Sequence, residues 1–146
     1  MVEIDYNRFI CKQGWFSLQL SAKWMEYGFE EGMYEFVSNC ESEANLRILP
    51  VRFHESDMES AFNYVEDVYE NSLLKSPEKT KIDGCNCVSF KEAVEISEVN
   101  TYYWFLEKQN FVFIFSLSIP FEQDRIPSNE EELKEIKSVI ASVEII

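Results

Sequence analysis

Phe111-Val112-Phe113-Ile114-Phe115 constrains this chain more than any other stretch. In a strand, successive side chains point to opposite faces, so a strand apolar at every position must be covered on both. It belongs near the middle of a sheet with a packed layer above and another below. Its partner lies just before it: residues 101–107 are rich in aromatics, and Lys108-Gln109-Asn110 makes a polar tip of hairpin length.

Other strands follow from parity. Residues 15–20 place Phe16, Leu18 and Leu20 on one face and Ser17 and Gln19 on the other, until Ser21-Ala22-Lys23-Trp24 breaks the pattern. Tyr27 and Phe29 lead through Glu30-Glu31-Gly32 to residues 33–37, a hairpin in which Gly32 supplies the positive φ. Residues 45–53 form a further strand, and Pro50, which cannot donate to a ladder, places it at an edge or interrupts it. After Asp83-Gly84, the positions Val88, Phe90, Val94 and Ile96 keep strand parity.

Two helices complete the reading. Ser56 with Glu59 forms a capping box, Met58, Ala61, Phe62, Val65, Tyr69 and Leu73 recur at helical spacing, and Ser76-Pro77 stops a helix of about residues 57–75. The second opens at Pro127-Ser128 with the box Ser128 and Glu131, and aligns Leu133, Ile136, Ile140 and Val143. Glu130 to Glu132 at its positive end, with Lys134 and Lys137 further on, match the helix dipole. Four strands, a helix, three strands and a helix predict an α+β fold: a mostly antiparallel sheet of six to seven strands with two helices packed on it. With 146 residues, no repeat and no linker, residues 1–146 read as one domain large enough to need no metal or disulfide staple.

The opening Gly14-Trp15-Phe16-Ser17-Leu18-Gln19-Leu20-Ser21-Ala22-Lys23-Trp24 is similar to the Gly-x-Phe-Ser-(Ile/Leu)-x-(Leu/Phe)-Pro-x-x-Trp motif of the PsbP-like superfamily. Glu30-Glu31-Gly32 and the closing Ile140-Ala141-Ser142-Val143 also resemble that family, from Gly14 to the C-terminus, with Ser21 standing where the family usually has Pro. The superfamily includes a photosystem II extrinsic subunit, the Mog-type Ran-binding proteins and many small bacterial domains of unknown function. The resemblance implies a PsbP-like fold and a binding or accessory role, because the better-known members dock to other proteins and share no active site. It transfers no partner and no functional residue.

Charge narrows the function classes. Twenty-seven acidic against 13 basic side chains give a net charge of −14, which repels phosphate backbones and anionic lipid headgroups. Nucleic-acid binding is not expected. No apolar run reaches the roughly 18 residues that cross a bilayer, and no membrane association is expected. The N-terminus has no basic leader, so the expected location is cytoplasmic, with Cys11, Cys40, Cys85 and Cys87 as reduced thiols.

Catalytic signals are thin. Cys85 and Cys87 share a strand face without the second close pair that zinc requires, and Asp83 and Glu92 would raise rather than lower a nearby thiol's pKa. His54 is the only histidine and reads as a solvated loop residue ahead of Ser56. Glycine occurs only at 14, 28, 32 and 84, which excludes a phosphate-binding glycine loop. No cofactor and no metal are expected.

Four residues stand out as binding candidates. Glu92 is in phase with Val88 and Phe90: either its carboxylate faces the apolar layer beside Arg47 or Arg52, or a bulge at Lys91-Glu92, the favoured alternative, turns it outward. Trp15, Tyr102 and Trp104 lie on the parity opposite Phe16 and Phe105, as contact anchors or, more commonly for aromatics, as core. The leading reading is a non-enzymatic protein-binding or accessory domain with a basic partner, an immunity-type inhibitor being one version. The alternative is a small ligand-binding protein or hydrolase with a pocket between sheet and helix near Glu92 and His54. A third reading is oligomerisation through an exposed strand edge.

Overall fold

The structure, a computed structural model, describes residues 6–38, 43–123 and 128–146, with side chains for all of these except 128–131. In chain order its strands and helices are β1 (Tyr6–Ile10), β2 (Phe16–Ser21), β3 (Trp24–Glu30), β4 (Met33–Ser38), β5 (Asn45–Arg52), α1 (Met58–Asn71), β6 (Glu78–Ile82), β7 (Cys85–Val94), β8 (Val99–Lys108), β9 (Phe111–Pro120), α2 (Ser128–Ala141) and β10 (Glu144–Ile145). Seven strands form one sheet in the order β3-β4-β5-β9-β8-β7-β6, and three form a second, β1-β2-β10. Every pairing is antiparallel. The predicted α+β class is the observed one.

β9 is the central strand, as its two apolar faces require. Phe111, Phe113, Phe115, Leu117 and Ile119 face the larger core, which β2 closes with Phe16, Leu18 and Leu20 and α2 closes with Ile136, Val139 and Ile140. Val112 and Ile114 face the other way and pack with Val88 and Phe105 against Ala61 and Val65 of α1. Each fully buried large side chain contributes about 1.5–3 kcal/mol, so the β8–β9 hairpin, packed on both faces, anchors the molecule. Its tip is tied down: Asn110 Nδ2 donates to Phe53 O at 2.7 Å, and Phe53 N donates to Asn110 O at 2.8 Å.

The closing motif has a structural role. Ser142 Oγ accepts from Gln19 N at 2.9 Å and donates to Val139 O at 2.6 Å, joining the end of α2 to β2. Lys108 Nζ donates to Val143 O at 2.6 Å. On the other side of α2, Lys23 lies 3.3 Å from Glu132 and 3.0 Å from Glu135.

Several expectations are corrected. Residues 16–21 pair with β1 and β10 in the smaller sheet and not with the main one. Pro50 is not on an outer strand, since β5 lies between β4 and β9, but the ladder with β4 is interrupted before it, as the missing donor requires. β4 pairs with β5 only from Asn45 to Ile48, so no ladder on that side needs a donor at Pro50, while on the other side Pro50 stands opposite Phe113. The cap of α1 is Asp57 and not Ser56; its carboxylate accepts from Ser60 N at 3.1 Å and from Ser60 Oγ at 2.7 Å. Of the expected stripe of α1, Ala61, Val65 and Tyr69 pack against the sheet, joined by Tyr64 and Val68, while Met58 and Phe62 are exposed. α1 ends at Asn71, and Leu73 sits in a short 3-10 turn, Leu73–Lys75. Ile96, expected inside a strand, is exposed in another such turn, Glu95–Ser97. The capping box Ser128 with Glu131 and residue Cys40 lie outside the described side chains.

Candidate functional site

β7 and β8 run in unbroken register from the Cys87–Leu106 pair to Val94–Val99, so no bulge turns Glu92 outward. Its parity with Val88 and Phe90 holds, yet it is not buried. α1 covers Val88 and Phe105 and stops short of the far end of that face, where Glu92 meets Lys75 at 3.3 Å with 40% of its side chain exposed. Arg47 pairs with Glu35 at 3.5 Å and Arg52 with Glu55 at 3.6 Å, so neither is the partner of Glu92. The sheet face near Glu92 is polar, with Thr101 and Ser118 hydroxyls 2.9 Å apart and Asn45 Nδ2 donating to Glu35 at 2.9 Å.

Trp104 is 5% exposed and belongs to the larger core, with Tyr102 packed beside it, their rings 6.3 Å apart and nearly parallel. Both line a cleft of about 290 Å³ at the β7 edge, which Lys75 also borders. Tyr102, Trp104 and, through Lys75, Glu92 are thus gathered at one place. Trp15 is not with them. It lies at the opposite end of the β8–β9 hairpin, 5.9 Å from the Phe111 ring and under the Arg52 guanidinium at 5.3 Å.

His54 and Glu92 share no pocket. His54 is exposed before α1, its Nδ1 2.8 Å from Ser56 Oγ, whereas Lys75 and Glu92 lie beyond the other end of that helix. A cavity of about 500 Å³ near the start of α1 is lined by Trp15, Arg52, Glu55, Met58 and Phe111, and by neither His54 nor Glu92. Cys85 and Cys87 point to the same face of β7, toward the larger core. Burial pushes the Cys87 thiol up to about 12, against a backbone hydrogen bond from Phe105 and the charge of Lys137, which lower it. The cause is desolvation and not the acidic neighbours expected. Among the described residues no three His, Cys, Asp or Glu side chains are grouped to hold a metal ion.

The surface that sequence reasoning passed over is the β3–β4 hairpin. Met25, Tyr27 and Phe29 are 50%, 72% and 37% exposed on β3, the outermost strand of the large sheet. Glu26, Glu30 and Glu31 are exposed beside them. The register shifts between Glu26 and Gly28, so Tyr27 is the extra residue of a bulge that breaks the strand's alternation. Glu31 and Gly32, at φ 53° and 83°, close the two-residue turn. The signal in the sequence was this mixture of acidic and aromatic residues on a strand with no clean buried parity.

Three solved structures from distant sources share this fold. A crystal structure from Bacteroides thetaiotaomicron superposes with a TM-score of 0.76 at 24% identity, over 99% of this chain and 49% of that one. This chain therefore spans about half the length of that relative. The Saccharomyces cerevisiae Ran-binding protein Mog1p matches with a TM-score of 0.63 at 8% identity, over 98% of this chain and 96% of that one. PsbP (CyanoP) from Synechocystis matches at 0.58 and 12% identity, over 100% of this chain and 95% of that one. At such identities the likeness establishes the PsbP-like fold and nothing more. No curated protein matches. Residues 4–146 match one family model along nearly their whole length, and the chain belongs to that family, the domain of unknown function DUF3805.

Proposed function

We propose that this chain is a non-enzymatic protein-binding or accessory domain whose main contact surface is the acidic, aromatic β3–β4 hairpin. One observation carries the reading: three large apolar side chains, Met25, Tyr27 and Phe29, are in reach of water on an outer strand beside three exposed carboxylates. Apolar groups there gain from burial against a partner, and the carboxylates select a basic one. The net charge of −14 acts in the same direction at longer range by steering encounter. An inhibitor that masks a basic enzyme is one form of such a pairing. Mog1p, which shares the fold, carries the description Ran-binding, and that is in keeping with a docking role while lending no partner.

In this reading the partner is a protein and neither nucleic acid nor membrane. No helix among the described residues is long and apolar enough to cross a bilayer. The working compartment is reducing, the cytoplasm, where the Cys11, Cys85 and Cys87 thiols remain free.

Tyr27→Ser tests the surface directly. Tyr27 is largely exposed, so the melting temperature should hardly move, while affinity for a partner captured on the wild-type chain should fall roughly tenfold or more, as for an interfacial aromatic anchor. An unchanged affinity removes the hairpin from the interface.

A further inference from the structure

Trp15, a binding candidate from sequence, lies apart from the β3–β4 surface, on the wall of the cavity of about 500 Å³. Four stretches far apart in sequence build that cavity: Gly14-Trp15 ahead of β2, the segment from Arg52 to Met58 that enters α1, the tip of the β8–β9 hairpin, and Ile145 with Ile146. Its volume is in the range of small-molecule sites. The corner at Gly14 is open: the residue holds φ at 72°, and no atom beyond its chain neighbours lies within 4 Å of where a Cβ would stand. The walls are held in place by backbone, with Ile146 N donating to Trp15 O at 2.9 Å and Phe53 N to Asn110 O at 2.8 Å.

Three wall groups favour an aromatic ring over an aliphatic one. The Trp15 and Phe111 rings stand 5.9 Å apart and tilted by 58°, so together they offer a third ring both a face and an edge. Phe111 is 3% exposed and belongs to the larger core, which makes that wall rigid. Met58, 55% exposed, adds a thioether that gains from contact with a ring and adapts to the shape it covers. Ile146, also exposed, extends an apolar border that gains by leaving water.

Charge does not select the ligand. Among the described residues, the charged side chains lining the cavity are Arg52 and Glu55, which pair with each other at 3.6 Å while the guanidinium lies 5.3 Å from the Trp15 ring. An ionised ligand would have to break that pair, and an anion would also meet the field of a chain carrying −14. The polar group left to a ligand is the Gln109 amide. Gln109 is exposed at the hairpin tip at φ 54°, and its side chain makes no hydrogen bond to another described residue, so it can both donate and accept. We infer that this cavity binds a small, uncharged aromatic molecule with a single hydrogen-bonding group, of the indole or phenol class. Its ring lies against Trp15, Phe111 and Met58, and its polar atom turns to Gln109. The site shares no residue with the β3–β4 surface and stands or falls independently of it.

The test uses the full chain, labelled with nitrogen-15, and indole as the probe. The expected result is saturable binding at submillimolar indole, with shifts concentrated at the amides of Trp15, Arg52, Gln109, Phe111 and Ile146 and at the Trp15 ring N–H. Met58→Arg, at an exposed side chain, puts a cation where the ring must lie and should weaken indole roughly tenfold or more while leaving the remaining spectrum unchanged. Gln109→Ala should weaken it roughly fivefold, the loss of one hydrogen bond. Tyr27→Ser should leave it unaffected. Any of four results overturns the inference: shifts that rise without saturation at millimolar indole, the same shifts from cyclohexanol at equal concentration, tighter binding of indole-3-acetate or tryptamine than of indole, or wild-type affinity in either cavity variant.

Discussion

Lys23 joins the turn before β3 to α2 by contacting two carboxylates one helical turn apart, Glu132 and Glu135. Burial works to lower its pKa, but hydrogen bonds and charges from Glu135 and Glu132 outweigh that and hold the amine above its ordinary 10.5. A group whose folded pKa is raised stabilises the fold fully below its unfolded value, and the contribution is lost as pH rises through the folded one. Lys23→Met, which removes the cation from both carboxylates, should therefore cost about 2 kcal/mol near neutral pH, a value set below that of a fully buried pair. Chemical denaturation should show the gap to wild type holding from neutral pH upward and narrowing above pH 10.5, as the amine loses its charge. A gap that instead closes toward acidic neutrality, or never opens, would show that the pair does not hold α2. Cys87 offers a second check. With its thiol pushed up to about 12, the thiolate fraction near pH 8 is on the order of one in ten thousand. Iodoacetamide should label half-exposed Cys85 in the native protein and Cys87 only after unfolding, and labelling of both at one rate would contradict that burial.

At the scale of elements, the cap of α1 separates two closely spaced candidates. Asp57 holds Ser60, and that hydrogen bond, from side chain and backbone, keeps its carboxyl below the ordinary 3.8. Its contribution is present above that value and lost as pH falls through the folded one. Asp57→Ala should lower the melting temperature at pH 7 more than Ser56→Ala does, and the reverse order would restore the box read from sequence. Long, strongly patterned elements were legible: β9 is central because an all-apolar strand can lie nowhere else, and residues 45–52 and 33–38 fall where parity placed them. Three strands left no such trace. β6 is Glu-Lys-Thr-Lys-Ile with its first four residues exposed, β1 buries no side chain fully, and β10 has two residues. Edge strands are under no pressure to alternate, so parity cannot find them. Asp83-Gly84, with φ of 52° and 77°, did mark the β6–β7 turn, but a hairpin signal needs two patterned flanks to be read.

On the scale of the whole molecule, the β3 edge of the large sheet gathers exposed aromatic and acidic side chains. Aromatic residues could be identified as candidates from sequence, but their fate depended on which layer reached them. Trp104 went under α2 and the small sheet, Trp15 to the far end of the hairpin, and Tyr102 to the rim of the cleft. Glu92 kept its parity but lies where α1 no longer covers the sheet, an outcome set by where a helix ends and not by the strand that carries the residue. The β3–β4 hairpin became visible as a surface only once the third dimension placed β3 at the end of the strand order, with Met25, Tyr27 and Phe29 exposed. The account rests on that acidic edge engaging a basic protein. The most direct measurement is capture from the native lysate on immobilised wild-type chain and on a Glu26→Gln, Glu30→Gln, Glu31→Gln variant, at about 50 mM and about 500 mM salt, since screening weakens exposed charge contacts. The account predicts a discrete basic protein retained by wild type at low salt, released at high salt and absent from the variant. Equal capture by both chains, or a retained partner indifferent to salt, would contradict it.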